Sequence, residues 1–247
     1  MRLKVLTYNI HKGFSLFGDL VLPRIRDAIR DVGADLVFLQ EVIGENDRHR
    51  SEQAAWPAGN PMDFLAGEIW PHHAYGKNAV SSEGHHGNAI MSGRPFASHE
   101  NIDVSTNRFE KRGMLHAVIR AESPVACDVH AICVHLDLRE AGRRRQIDEL
   151  AARIDASVPH GSPLIVAGDF NDWRHVAGNR LERRLDVEDC HKRLHGSYAR
   201  TFPSVFPVLS LDRIYVRGLK PVEVRCLTGP PWSELSDHNA LYAELET

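Results

Sequence analysis

The sequence predicts an α/β fold of two packed sheets with helices on the outside. Three observations predict it. Strand-like segments outnumber helical ones, yet helices punctuate them along the whole chain. The first forty residues read as a strand–helix–strand unit. Some strand-like segments are continuous apolar runs, the pattern of strands covered on both faces.

Residues 2–8 alternate and are rich in Leu and Val, which gives a first strand. Pro23 opens an amphipathic helix with Ile25, Ala28, Ile29 and Val32 on one stripe and Gly33 as its stop. Residues 34–39 form a short buried strand, 44–60 a polar surface loop, and 62–69 a short helix. Residues 88–92, 97–104, 114–121 and 125–135 are β-like segments separated by turn formers. A long helix is expected over 140–157, with Ile147, Leu150, Ala151 and Ile154 inward and 143–145 on its solvated flank. An apolar strand at 164–167 and a short helix marked by Leu181 and Leu185 follow. Strands at 211–216, 222–227 and 239–244 complete the pattern. No low-complexity segment or compositional shift marks a linker, so residues 1–247 are expected to form a single domain.

Composition narrows the class. With 247 residues, 43% hydrophobic and 26% charged, the chain is neither disordered, collagen-like nor a coiled coil. Thirty Lys and Arg against 33 Asp and Glu give a net charge of −3, which argues against a generally basic nucleic-acid binder. Four Cys are scattered without a C-x-x-C pair, so no zinc ribbon or redox motif is present. Cys127 and Cys133, six apart in a strand-like run, are expected on one face as buried free thiols. The N-terminal apolar stretch is too short for a signal peptide and no window spans a membrane, so a cytoplasmic protein without a stable membrane anchor is expected. Fifteen His raise the question of metal or phosphate chemistry, but no H-E-x-x-H zinc pattern occurs.

Polar residues collect at strand ends. Asn9 ends the first strand, and Glu41 follows the 35–40 run. His135 closes one strand, Asp169 and Asn171 follow another, Asp212 opens a third, and Asp237-His238 precedes the last. Strands lying side by side would bring these ends to one rim, where α/β folds bind ligands. Taken singly, each residue reads as a turn former or a solvated loop group. Together they supply four carboxylates, two amides and two imidazoles, an oxygen-rich set suited to Mg²⁺ or Mn²⁺ rather than zinc.

The segments Thr7-Tyr8-Asn9, Leu39-Gln40-Glu41-Val42, His135-Leu136-Asp137, Gly168-Asp169-Phe170-Asn171, Leu211-Asp212-Arg213-Ile214 and Ser236-Asp237-His238 resemble the endonuclease/exonuclease/phosphatase superfamily, in that family's order. Among its members, the chain is most similar to a group of bacterial hydrolases. The resemblance implies a four-layer α/β sandwich, two mostly antiparallel sheets flanked by helices. It also implies a Mg²⁺- or Mn²⁺-dependent phosphoric ester hydrolase. In that scheme Glu41, with Asn9 and Asp237, holds the metal. Asp169 orients or deprotonates the attacking water, and Asn171 donates to a phosphoryl oxygen. Asp212 pairs with His238, whose ring stabilises charge on phosphorus, and His135 is a second phosphate-facing imidazole. Asp137 receives no role.

Candidate substrate contacts come from Gly84-His85-His86-Gly87-Asn88 and from Arg112 before a strand. His85 or His86 touches substrate, or the segment is a plain surface loop; Asn88 is a partner, and Arg112 is placed to clamp phosphate. Arg180, Arg183 and Arg184 read as a solvated face, and Trp173 as packing under its loop. The substrate class stays open between phosphodiester and phosphomonoester. Duplex DNA is not favoured by the charge, a DNA-repair type nuclease is the alternative enzyme, and a non-catalytic phospho-ligand module is the alternative outside enzymes. The sequence carries no signal of oligomeric state.

Overall fold

The computed structural model describes residues 2–53, 55–108, 110–121 and 127–246. The chain runs through β1 (Arg2–Asn9), a 3₁₀ turn (His11–Gly13), α1 (Leu22–Val32) and β2 (Leu36–Asn46). Then come α2 (Asp47–Glu52), α3 (Pro61–Ala66), β3 (His72–Val80), β4 (Gly84–Ser92), β5 (Phe96–Asp103), β6 (Gly113–Ile119) and β7 (Val129–His135). The second half holds α4 (Glu140–Ser157), β8 (Leu164–Asp169), α5 (Val176–Leu185), β9 (Glu188–Asp189), α6 (Cys190–His195), β10 (Asp212–Arg217), β11 (Lys220–Leu227), α7 (Trp232–Leu235) and β12 (Ala240–Glu246).

Two six-stranded sheets form, in the orders β11-β12-β1-β2-β4-β3 and β5-β6-β7-β8-β10-β9. Both are mixed: β1–β2 and β7–β8 pair in parallel, and their other pairings are antiparallel. Strand alternation divides each sheet between two apolar layers. Leu3, Val5, Leu36 and Phe38 of the first sheet meet Ala131, Cys133, Ile165, Ala167 and Ile214 of the second in a common core. The opposite face of the first sheet, through Leu6, Tyr8, Val37 and Leu39, packs on Ile25 and Ile29 of α1 and Leu65 of α3. The opposite face of the second, through Ile132, Val134 and Val166, packs on Ile147, Leu150 and Ile154 of α4 and Leu181 of α5. Helix, sheet, sheet and helix make the four-layer sandwich. Among the described residues, no helix is long and apolar enough to cross a membrane.

Three local expectations are corrected, and one strand is added where none was expected. Residues 44–60 are not all loop, because β2 runs on to Asn46 against β4 and α2 follows. Residues 72–80 form β3, an edge strand whose mixed composition hides its pairing with β4. Arg143 is not on a solvated flank: it is 1% exposed and donates to the carbonyls of Asp137 and Leu138. Cys127 is exposed rather than buried, since its strand begins only at Val129. Residues 125 and 126, expected to start that strand, lie outside the described residues.

Candidate active site

The inter-sheet core becomes polar at one end. Along β1 the inward residues run Leu3, Val5, Thr7, Asn9; along β8 they run Ile165, Ala167, Asp169; along β7, Ala131, Cys133, His135. Pairing registers place these polar ends together. His135 faces Asp169 across β7–β8, and Asp169 faces Asp212 across β8–β10, so three polar side chains stand in one row. Asn9 faces Gln40 across β1–β2 in the other sheet.

Asp169 is the hub. Its carboxylate accepts from Asn9 Nδ2 at 3.1 Å and from the Asn171 backbone N–H at 2.9 Å. His135 Nε2 lies 3.4 Å from Asp169 Oδ2, and His238 Nε2 lies 3.8 Å from the same oxygen. His238 Nδ1 donates to Asp212 Oδ2 at 2.7 Å, and the Phe202 ring, 5.0 Å away between centroids, walls the imidazole. Asp212 Oδ1 is buried without a hydrogen-bond partner among the described residues.

The two imidazoles are driven apart electrostatically. Burial opposes the charged form of His238, but the Asp212 and Asp169 carboxylates outweigh it and push its pKa up to about 10. Burial first, then Arg112, His238, His86 and Lys12 nearby, hold His135 well below the ordinary imidazole range. Burial, helped by Asp212 and opposed by His238, raises Asp169. At neutral pH a charged and a neutral ring therefore flank one carboxylate. Such divergence separates proton donor from acceptor.

Glu41 reaches the rim through a β-bulge. Leu39 pairs with Ala89 and Val42 with Gly87, so Gln40 and Glu41 together oppose Asn88 alone. Glu41 adopts φ 55° there, and its side chain is half-buried without an ion pair to any described residue. His86 feels both Glu41 and Arg112, which gathers these three on the rim beside His135. Asp237, half-buried beside His238, accepts from Ser236 Oγ at 3.2 Å, and Ser236 Oγ also lies 2.7 Å from the Asn9 carbonyl.

Other expected residues lie nearby in more structural settings. Asn171, at φ 49°, donates through Nδ2 to the Leu136 carbonyl at 2.9 Å, leaving one N–H and Oδ1. Asn88 is buried in the seam, where its Nδ2 donates to the Gly113 carbonyl and ties β4 to β6. Arg112 pairs with Glu110 at 2.5 Å. His85 is held by the Tyr75 hydroxyl at 3.0 Å and covers Gly44, where a Cβ would fall 2.0 Å from the ring. Asp137 accepts from Thr106 Oγ1 and from the Arg139 N–H, a structural post at the start of α4. Trp173 packs by the Arg143 guanidinium, 5.0 Å from its ring.

Sequence reasoning missed Lys12. His11, Lys12 and Gly13 are left-handed in succession (φ 44°, 60° and 83°), one residue beyond Asn9. Two of these are not glycine, so the turn stores strain of the kind found at functional sites. It aims Lys12 at the groove that His86 also lines, and both His135 and His86 sense its charge. The only sequence signal is position, three residues after Asn9.

A polar, proton-separating cluster at the mouth of a two-sheet sandwich has a family match. Residues 6–238 match the Endonuclease/Exonuclease/phosphatase family. The chain belongs to this family. Its members are, in general, phosphoester hydrolases. The chain is 46% identical over 244 residues to YbhP of Escherichia coli, covering 98% of this chain and 95% of that protein. Solved structures share the fold at lower identity. A D. rerio TDP2 structure complexed with single strand DNA product has TM-score 0.73 at 19% identity, covering 100% of this chain and 99% of that one. Mannosyl-6-phosphatase Bt3783 of Bacteroides thetaiotaomicron has TM-score 0.72 at 15% identity, covering 99% and 100%.

Proposed function

We propose that this family member is a Mg²⁺- or Mn²⁺-dependent hydrolase of phosphate esters, a phosphodiesterase or phosphatase acting by in-line attack of water on phosphorus. The observation that carries it is Asp169, buried between a neutral and a protonated imidazole where the core opens. A fixed carboxylate there orients and deprotonates water. The charged His238, held by Asp212, neutralises charge on the phosphoryl oxygens, and His135 donates as a neutral ring. Asn9 and the Asn171 N–H hold the Asp169 carboxylate in place. Phosphoryl transfer depends mainly on such positioning and neutralisation.

The donor set fits a hard divalent cation. Asp169, Asp212 and His238 each bring a possible ligand atom within 4.8 Å of the others. A His238 protonated on both nitrogens makes that trio a proton network rather than a cation cage. Glu41, whose side chain forms no ion pair among the described residues, would hold the ion with Asp237 and with Asn9 Oδ1, which also accepts from the His11 N–H. Asp212 Oδ1 is a further unpartnered buried oxygen. When bound, the ion supplies charge neutralisation at the phosphoryl group.

The fold relatives act on chemically distant esters, one named for a sugar phosphate and one crystallised with single-stranded DNA. At a net charge of −3, repair of duplex DNA is the second choice. The test is hydrolysis of bis-p-nitrophenyl phosphate and p-nitrophenyl phosphate with Mg²⁺ or Mn²⁺, beside an abasic oligonucleotide. EDTA, Asp169→Ala and His238→Ala should each abolish turnover. Unchanged turnover in both variants would sink the site assignment.

A further inference from the structure

The large apolar side chains left in solvent are not scattered. Eleven are exposed among the described residues, and nine leave the catalytic ends of strands; Ile69 and Leu194 are the exceptions. From the first sheet, Leu16 and Phe17 follow β1, and Val80 sits at the β3–β4 hairpin, whose turn lies at the Glu41 end of β2. From the second, Leu138 follows β7, and Trp173 and Val176 follow β8. Val205, Phe206 and Val208 stand in the loop before β10, whose base is Phe202 on the His238 ring. Phe17 is 86% exposed, Phe206 73% and Val80 65%.

Inside this apolar rim two cations, Lys12 and the Glu110-paired Arg112, lie near His135 at the phosphate-facing wall, beside the half-buried His86 ring. Outside it, Asp19, Glu45 and Glu83 share the loops with the apolar tips, so charge alone would not hold an anionic surface. The tips sit on five separate segments rather than on one flat face, one of them running from Trp173 into the start of α5. Isolated aromatic and branched tips suit a fluid apolar matrix better than a complementary protein surface, whose packing needs a contiguous core. Phosphate at the centre with hydrocarbon around it is the chemistry of a glycerophospholipid surface.

We propose that the mouth docks on a phospholipid bilayer through Phe17, Val80 and Phe206, and that its substrate is a phosphoester presented at that surface. The substrate half of this inference rests on the phosphoester-hydrolase reading; the docking half does not. With no helix fit to span a membrane among the described residues, the attachment is peripheral.

The experiment is flotation of the full chain with phosphatidylcholine/phosphatidylglycerol vesicles in EDTA, so that binding is read without turnover. The wild type should float, and Phe17→Ser/Phe206→Ser should bind at least about a hundredfold more weakly, given the worth of two buried aromatics. Val80→Ser, on a third loop, should weaken binding by a smaller factor. All variants should hydrolyse soluble bis-p-nitrophenyl phosphate at the wild-type rate, which certifies the fold. A wild type that stays unbound, or a double variant that floats equally well, overturns docking. So does a wild-type dimer in gel filtration that the double variant abolishes without any vesicle binding, because the rim is then a protein interface. Vesicle binding by a wild type that cleaves no soluble or lipid ester would instead overturn the hydrolase reading.

Discussion

Asp169 and Asp212 stand directly opposite each other across β8–β10, two buried carboxylates in adjacent strands. Like charges in that register repel, and the protonated His238 ring between their oxygens compensates them. Replacing Asp212 by Asn keeps the shape and removes one charge. Turnover of an activated phosphoester should fall by about 10²- to 10⁴-fold, since the imidazole loses both its charge partner and its orientation. The His238 ring should then titrate well below about 10 in NMR spectra of the metal-free protein. A ring that still titrates near its original value would contradict the pairing.

A second imidazole pair contributes to the acid sensitivity of the fold. Arg153 Nε–H donates to His116 Nδ1 at 3.1 Å, and His116 Nε2 lies 3.0 Å from His130 Nδ1. Burial first, then Arg153 and His130, lower His116 to about 4. The unfolded chain takes up this proton near about pH 6.5, before the folded one does, so stability is complete above that pH and is lost as pH falls towards about 4. Between about pH 7 and about pH 4.5 the wild type should lose on the order of 2–3 kcal/mol more stability, read from urea midpoints, than His116→Gln does. Parallel losses in both proteins would rule the pair out.

The loop that carries Asn171 hangs on a buried ion pair. Arg213, fully buried, donates to the Asp172 carbonyl at 2.6 Å and lies 3.4 Å from its Oδ2. Asp172 also accepts from the N–H groups of Val176 and Gly178 and so caps α5. Asp172→Ala leaves the guanidinium buried and uncompensated and should cost about 3–5 kcal/mol in chemical denaturation. A loss under about 1 kcal/mol would show that Tyr215 and the backbone suffice for Arg213.

Lys12→Gly should separate stability from activity. Glycine adopts the left-handed turn without strain, so the variant should be no less stable, with a gain of up to about 1 kcal/mol. The lost cation should raise KM about tenfold with little change in kcat, as expected for a group that binds ground and transition states alike. A fall in kcat at unchanged KM would instead place Lys12 in the chemical step.

Much of the architecture is legible because it is periodic. The long helix falls at 140–157 as its apolar stripe requires, and the run before Gly168-Asp169 is a strand in the middle of its sheet. The polar strand ends were readable as a set, and the registers bring His135, Asp169 and Asp212 into one row. What was hidden depends on tertiary contact. β3 lacks alternation because it is an edge, and Arg143 is buried only because α4 turns it under Trp173. Lys12 takes a backbone conformation that its residue type does not announce.

Alternation alone would send Glu41 the wrong way. Phe38 faces the inter-sheet core, while Leu39 and Val42 both face the outer helices, a parity that holds only because two residues fill one place opposite Asn88. Delete either of that pair and the ladder closes into regular pairing, with apolar residues still on their proper sides. The lone acid, however, would lose its place on the rim. The proposed site thus depends on a count of residues as much as on their identity, and a chain one residue shorter here should remain folded and yet lose the proposed activity.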